Sequence, residues 1–139
     1  MKVTIVAEIA SNWEGNVTKA KKLIKECKKA GADAVKFQAW RAIDLYDEKH
    51  PNWKEIKKSE LTFENIKLLK DFADKNKIDF FCSSFYPEAV EFLNSLNVKM
   101  HKVASRTCLF KDPYSCETLQ KEAKTGKPII ISMGMGGDK

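Results

Sequence analysis

Short runs of β-branched and aromatic residues alternate along this chain of 139 residues with longer stretches of helical period. That alternation builds parallel sheets through β-α-β units and excludes an all-helical bundle or an antiparallel sandwich. Five strands are expected: Val3 to Ala10, Ala34 to Gln38, Asp79 to Ser84, Met100 to Ser105, and Pro128 to Met133. Several are continuously apolar, as strands buried on both faces are. Between them, Val17, Ala20, Leu23, Ile24, Cys27 and Ala30 recur at three- and four-residue spacing, and Gly31 follows where a helix would stop. Thr62 reads as the N-cap of a second helix that buries Phe63, Ile66, Leu69, Phe72 and Ala73 and ends near Asn76. Pro87 opens a third helix, and Asp112 with Pro113 reads as the cap and first turn of a fourth. The interval from Ala39 to Leu61 is too long for an ordinary connection. Its Trp40, Tyr46, His50 and Trp53 point to a loop covering a substrate, or else to a structural excursion with a short helix.

Composition narrows the function classes. A 43% hydrophobic content is enough to bury the core of one compact domain. The net charge of +6 comes from lysines spread over the polar sides of helices, and the only arginines are Arg41 and Arg106. No clustered Arg-and-aromatic stretch of the kind nucleic acid recognises is present. Cys27, Cys82, Cys108 and Cys116 have no zinc-like spacing and read as free thiols in a reducing compartment. With no apolar leader core and no membrane-length run, a soluble cytoplasmic protein is expected.

The functional clue is positional. Each strand carries polar residues near its carboxyl end, where α/β enzymes gather their chemistry. These are Glu8 with Ser11 and Asn12, Lys36 and Gln38, Ser83 and Ser84, Lys102 and Ser105, and Ser132. Lys36 and Lys102 each place an ammonium inside a strand expected to be buried, which is costly unless the charge is paired. An internal carboxylate such as Glu8 can supply the pairing, and so can a bound anion. Two lysines with several hydroxyls suit a small ligand bearing both a carboxylate and a phosphate, such as phosphoenolpyruvate. A Schiff-base aldolase also uses a buried lysine, and the residues alone leave both mechanisms open. His101, adjacent to Lys102 on a strand, points to the opposite face and reads as structural. His50 has no partner set for a metal.

The segments Ala7-Glu8-Ile9, Asn12-Trp13-Glu14-Gly15 and Gly31-Ala32-Asp33-Ala34-Val35-Lys36-Phe37-Gln38 resemble the opening of sialic acid (N-acetylneuraminate) synthases. The similarity continues in order through Cys82-Ser83-Ser84-Phe85, Lys102-Val103-Ala104-Ser105, Thr125-Gly126-Lys127-Pro128 and Ser132-Met133-Gly134-Met135. The resemblance implies a TIM (β/α)8 barrel, present here only as its first five strands and four helices. It makes residues 1–139 the amino-terminal part of a truncated catalytic domain, inactive alone. The implied reaction condenses phosphoenolpyruvate with N-acetylmannosamine or a related aldose. By motif position, Lys36, Ser83, Lys102 and Ser105 would hold the carboxylate end of phosphoenolpyruvate, Ser132 would join the phosphate site, and Glu8 and Gln38 would face the sugar. Glu8, Lys36 and Lys102 are thus the implied catalytic residues. A divalent metal, manganese or magnesium, is implied with its ligands outside this chain, together with a homodimer at full length and a carboxyl-terminal antifreeze-like domain.

Several positions depart from the family pattern. Trp13 stands where a histidine is usual, Arg106 and Thr107 where a glycine and an acidic residue are usual, and Met133 where a threonine is usual. Arg106 beside the lysines would favour a more anionic acceptor. The same residues also fit a 3-deoxy-octulosonate phosphate synthase, or a non-catalytic anion-binding domain of flavodoxin-like strand order.

Overall fold

The computed structural model describes residues 3–134. Its elements follow in the order β1 (Val6–Ala10), α1 (Val17–Lys29), β2 (Ala34–Ala39), α2 (Ala42–Leu45), α3 (Trp53–Lys58) and α4 (Phe63–Lys75). Then come β3 (Asp79–Ser84), α5 (Pro87–Ser95), β4 (His101–Val103), a 3-10 turn (Thr107–Leu109), α6 (Ser115–Lys124) and β5 (Ile129–Ile131). All neighbouring strands pair in parallel, in the spatial order β1-β2-β3-β4-β5. A flavodoxin-like sheet would run 2-1-3-4-5, so that alternative falls. The major helices touch in sequence, α1 on α4, α4 on α5 and α5 on α6. One helical layer therefore backs one face of the sheet, as in a sector of a (β/α)8 barrel.

Local chemistry explains the helices. Asn16 and Thr62 each accept a bond from the backbone N–H three residues on, capping α1 and α4. Pro87 begins α5, where its missing N–H costs nothing. α4 buries Ile66, Leu69 and Ala73 completely. Each of the two larger side chains contributes roughly 1.5–3 kcal/mol by leaving water. Trp13, at the position where histidine is usual, is likewise in the core at 1% exposure.

Several boundaries differ from the sequence expectation. β1 begins at Val6 rather than Val3, because the Ile5 N–H is taken by the Asp33 carboxylate at 2.9 Å. β4 ends at Val103 because the Ala104 and Ser105 carbonyls accept the N–H groups of Thr107 and Cys108, turning the chain into the 3-10 turn. β5 covers only Ile129–Ile131, and Met135 lies outside the described residues. Asp112 and Pro113 do not start α6, which begins at Ser115 after an N-cap position at Tyr114 without a side-chain cap. The Asp112 carboxylate is held instead by Arg106, and a bidentate charged pair outcompetes a single capping bond. The long excursion contains two short helices, α2 and α3.

Gly15 fixes where that excursion sits. Its φ is +67°, and a Cβ there would lie 2.1 Å from the Lys58 carbonyl oxygen at the end of α3. Gly15→Ala is therefore expected to cost more than the roughly 1–2 kcal/mol of the left-handed penalty alone. Gly31→Ala, also at positive φ but with open space around it, should cost only that penalty. Urea denaturation of both variants checks the ordering, and equal losses would show that the Gly15–Lys58 approach is unimportant.

Candidate active site

Side chains alternate across a strand, so Lys36 and Gln38 share the face of β2 turned away from the helices, with Glu8 on β1, Ser83 on β3 and Lys102 on β4. Register then sets heights. Glu8 lies opposite Lys36, Gln38 opposite Ser83, and Ser83 opposite Lys102. Sequence-distant residues thus meet within hydrogen-bonding distance.

The Lys36 ammonium, on a residue 4% exposed, makes a 2.7 Å ion pair with Glu8 Oε2 and donates to Ser83 Oγ at 2.9 Å. Lys102, 9% exposed, donates to Ser132 Oγ at 2.6 Å and to the Val103 carbonyl. Burial first, and the Lys36 charge second, hold the Lys102 ammonium below the ordinary lysine pKa. The two ammonium groups are close enough to repel, and the Glu8 carboxylate pairs with Lys36. The cluster carries an excess positive charge of one, with Ser83 and Ser132 as its hydroxyls.

Toward the strand ends a cavity of about 210 Å³ opens, lined by Ser11, Gln38, Trp40, Tyr46, Ser105 and Arg106 among others. Gln38 lies two residues beyond Lys36, so the cavity opens roughly 7 Å above Lys36 at about 3.3 Å per residue, whereas Lys102, opposite Ser83, is level with Gln38 in the register. Ser11 donates to Gln38 Oε1 at 3.4 Å. The excursion after β2 supplies the aromatic wall, with Trp40 edge-on to Tyr46 at 6.1 Å between ring centres. It is a structural excursion with two short helices, of which Trp40, Leu45 and Tyr46 line the cavity.

Of the seven sequence-selected residues, Glu8, Lys36, Ser83, Lys102 and Ser132 form the hydrogen-bonded and charged cluster, and Gln38 and Ser105 line the cavity beside it. Arg106, expected from the sequence to favour a more anionic acceptor, is ion-paired with Asp112. Its Nε lies 2.9 Å from both oxygens of Asp112, and a terminal nitrogen donates to the Leu45 carbonyl at 3.4 Å. Sequence reasoning missed this pair, although an arginine six residues before an aspartate across a short turn was a readable signal.

It also missed Glu122. This α6 carboxyl is 1% exposed with both oxygens unpartnered, and burial pushes its pKa up to about 8, while the Lys102 charge opposes the rise. His101 is fully buried with both ring nitrogens unpartnered, and burial pulls its pKa down. Among the described residues no three His, Cys, Asp or Glu side chains converge on a possible metal position. No helix among the described residues is long and apolar enough to cross a membrane.

A parallel sheet sector of this order, backed on one face by helices, is the architecture of part of an α/β barrel. Comparison with known proteins makes the assignment particular. A model of the NeuB family matches residues 23–138, and the chain belongs to that family. It is 39% identical over 131 residues to the uncharacterized protein MJ1065 of Methanocaldococcus jannaschii, covering 94% of this chain and 37% of that protein. It is 35% identical over 144 residues to the N-acetylneuraminate-9-phosphate synthase of Mus musculus, covering 94% and 39%. The fold superposes with a TM-score of 0.88 and 28% identity on the sialic acid synthetase of Leptospira borgpetersenii serovar Hardjo-bovis in complex with citrate, covering 99% of this chain and 47% of that one. The chain thus spans about two-fifths of the length of these curated relatives.

Proposed function

We propose that this chain carries the phosphoenolpyruvate-binding part of a synthase that condenses phosphoenolpyruvate with N-acetylmannosamine or a related aldose, giving a nonulosonic acid and phosphate. The observation that carries the reading is the pair of buried lysines, each bonded to a serine hydroxyl, on the sheet face turned away from the helices. Membership of the NeuB family supports it, as do relatives named as synthases of such acids.

In this reading Lys36, Ser83, Lys102 and Ser105 hold the carboxylate end of phosphoenolpyruvate and Ser132 contributes to the phosphate site. C3 of the enol phosphate bonds to the aldehyde carbon of the open-chain sugar, whose oxygen takes up a proton. Water adds at C2, and phosphate leaves as the 2-keto acid forms. Glu8, 2.7 Å from the Lys36 ammonium, and Gln38 face the aldehyde, where Glu8 manages the proton. The chain's contribution is charge neutralisation and orientation, the terms that dominate when an anion must meet a weak electrophile. When bound, a divalent metal would polarise the aldehyde.

A Schiff-base aldolase is the competing reading, favoured by the lowered pKa of Lys102. Against it, Lys36 is ion-paired and Lys102 donates to two acceptors, which keeps both ammonium groups poor nucleophiles. Phosphate release from phosphoenolpyruvate, assayed with N-acetylmannosamine and manganese on the product of the whole open reading frame, tests the proposal. Sugar-dependent release without a borohydride-trapped adduct is expected. An adduct on Lys36 or Lys102 would transfer the assignment to the aldolase.

A further inference from the structure

The upper cavity, rather than the lysine cluster, carries information about the acceptor. Arg106 is the one ionised side chain in its lining. Two of its three guanidinium nitrogens contact Asp112, with the terminal one 2.8 Å from Oδ1, and the Asp112 side chain is only 8% exposed. The hydrogen bond to the Leu45 carbonyl further commits that terminal nitrogen. Recognition of a phosphate by arginine is strongest with parallel N–H donors and an uncompensated charge; Asp112 compensates the charge and occupies the Nε–Nη2 edge of this 43% exposed side chain. The rest of the lining is neutral: aromatic faces from Trp40, Tyr46 and Phe85, and the amide and hydroxyl of Gln38 and Ser105. Such a wall suits the C–H face of a sugar ring with its hydroxyl and acylamino groups. Lys36 lies roughly 7 Å deeper and is ion-paired to Glu8, and Lys102, level with Gln38 in the register, is engaged by Ser132 and the Val103 carbonyl.

We propose that this cavity selects an uncharged N-acyl aldose over its phosphate ester, and that Asp112 is the specificity-determining residue that enforces this by neutralising Arg106. The inference rests on the reading of the site as a synthase and narrows its acceptor. It reverses the expectation that Arg106 favours an anionic sugar. Because the relatives include both a sialic acid synthetase and an N-acetylneuraminate-9-phosphate synthase, family membership does not fix this choice.

Saturation-transfer NMR of the chain with N-acetylmannosamine and with its 6-phosphate measures the preference, and a separate titration with phosphoenolpyruvate reports on the deeper site. The wild-type chain is expected to bind the neutral sugar at least about fivefold more tightly, with little dependence on ionic strength. Asp112→Asn frees the guanidinium and is expected to improve binding of the 6-phosphate about tenfold at low salt while leaving the neutral sugar little changed. A merely structural role for Asp112 would weaken both sugars together. The inference is overturned by a wild-type preference for the phosphate ester, whether or not the variant folds, or by an unchanged preference in a folded Asp112→Asn. If phosphoenolpyruvate binds and neither sugar does, the acceptor inference fails and the reading of the deeper site survives. If none of the three binds, both fail.

Discussion

Lys36→Met is expected to weaken phosphoenolpyruvate binding by at least 100-fold, equivalent to about 2.8 kcal/mol at 1.4 kcal/mol per tenfold. Two effects add. The substitution removes a buried ammonium that would bond the ligand carboxylate, and it leaves the Glu8 carboxylate unpaired on the same face, where it repels the anion. Glu8→Gln separates them. Alone, it should preserve or modestly tighten phosphoenolpyruvate binding, because the cluster gains net positive charge, yet turnover should fall for want of the proton carrier. Combined with Lys36→Met, it should recover part of the lost affinity. Titration calorimetry on the three variants gives the coupling energy. Simple additivity would mean that Glu8 and Lys36 do not act as a pair.

Stability should fall as pH rises from about 6.5 to 8, with Glu122 as the main cause. Its carboxyl titrates at about 8 in the folded protein against an ordinary value of 4.5, so the folded state holds a proton that the unfolded state has lost. A raised pKa gives a contribution fully present below 4.5 and lost as pH climbs through 8, with a limiting slope of roughly 1.4 kcal/mol per pH unit. His101 acts with the opposite sign. Its depressed pKa means that stability is lost as pH falls below the ordinary value of 6.5, so the window above 6.5 isolates Glu122. Glu122→Leu is expected to flatten the profile there and to raise stability at pH 8 by a few kcal/mol. Urea unfolding at a series of pH values measures it. An unchanged slope in the variant would place the titrating group elsewhere.

The parallel strands, the four long helices and the polar strand ends were legible because each rests on a local signal: an apolar run, a cap, or a polar residue in an apolar segment. Lys36 and Lys102 stood out for that last reason, since an ammonium in a buried strand demands a partner. What strand registry brought together was not legible. Nothing in the sequence says that Ser83 meets Lys36 or that Ser132 meets Lys102. Asp112 was misread as a cap because a capping aspartate and an ion-paired one look alike until the arginine's position is known. Glu122 escaped notice because the buried face of α6 is Ser115, Thr118 and Glu122, so no apolar periodicity marks it as inward-facing.

The central claim is that Lys36 and Lys102 hold one anion between them. Lysine-selective 15N NMR of the side-chain ammonium groups, recorded during a titration with phosphoenolpyruvate, addresses it directly. The Nζ resonances of Lys36 and Lys102 are expected to shift together along a single saturation curve, while an exposed reference such as Lys57 stays in place. Separate curves for the two lysines, or movement of neither, would contradict a shared phosphoenolpyruvate site.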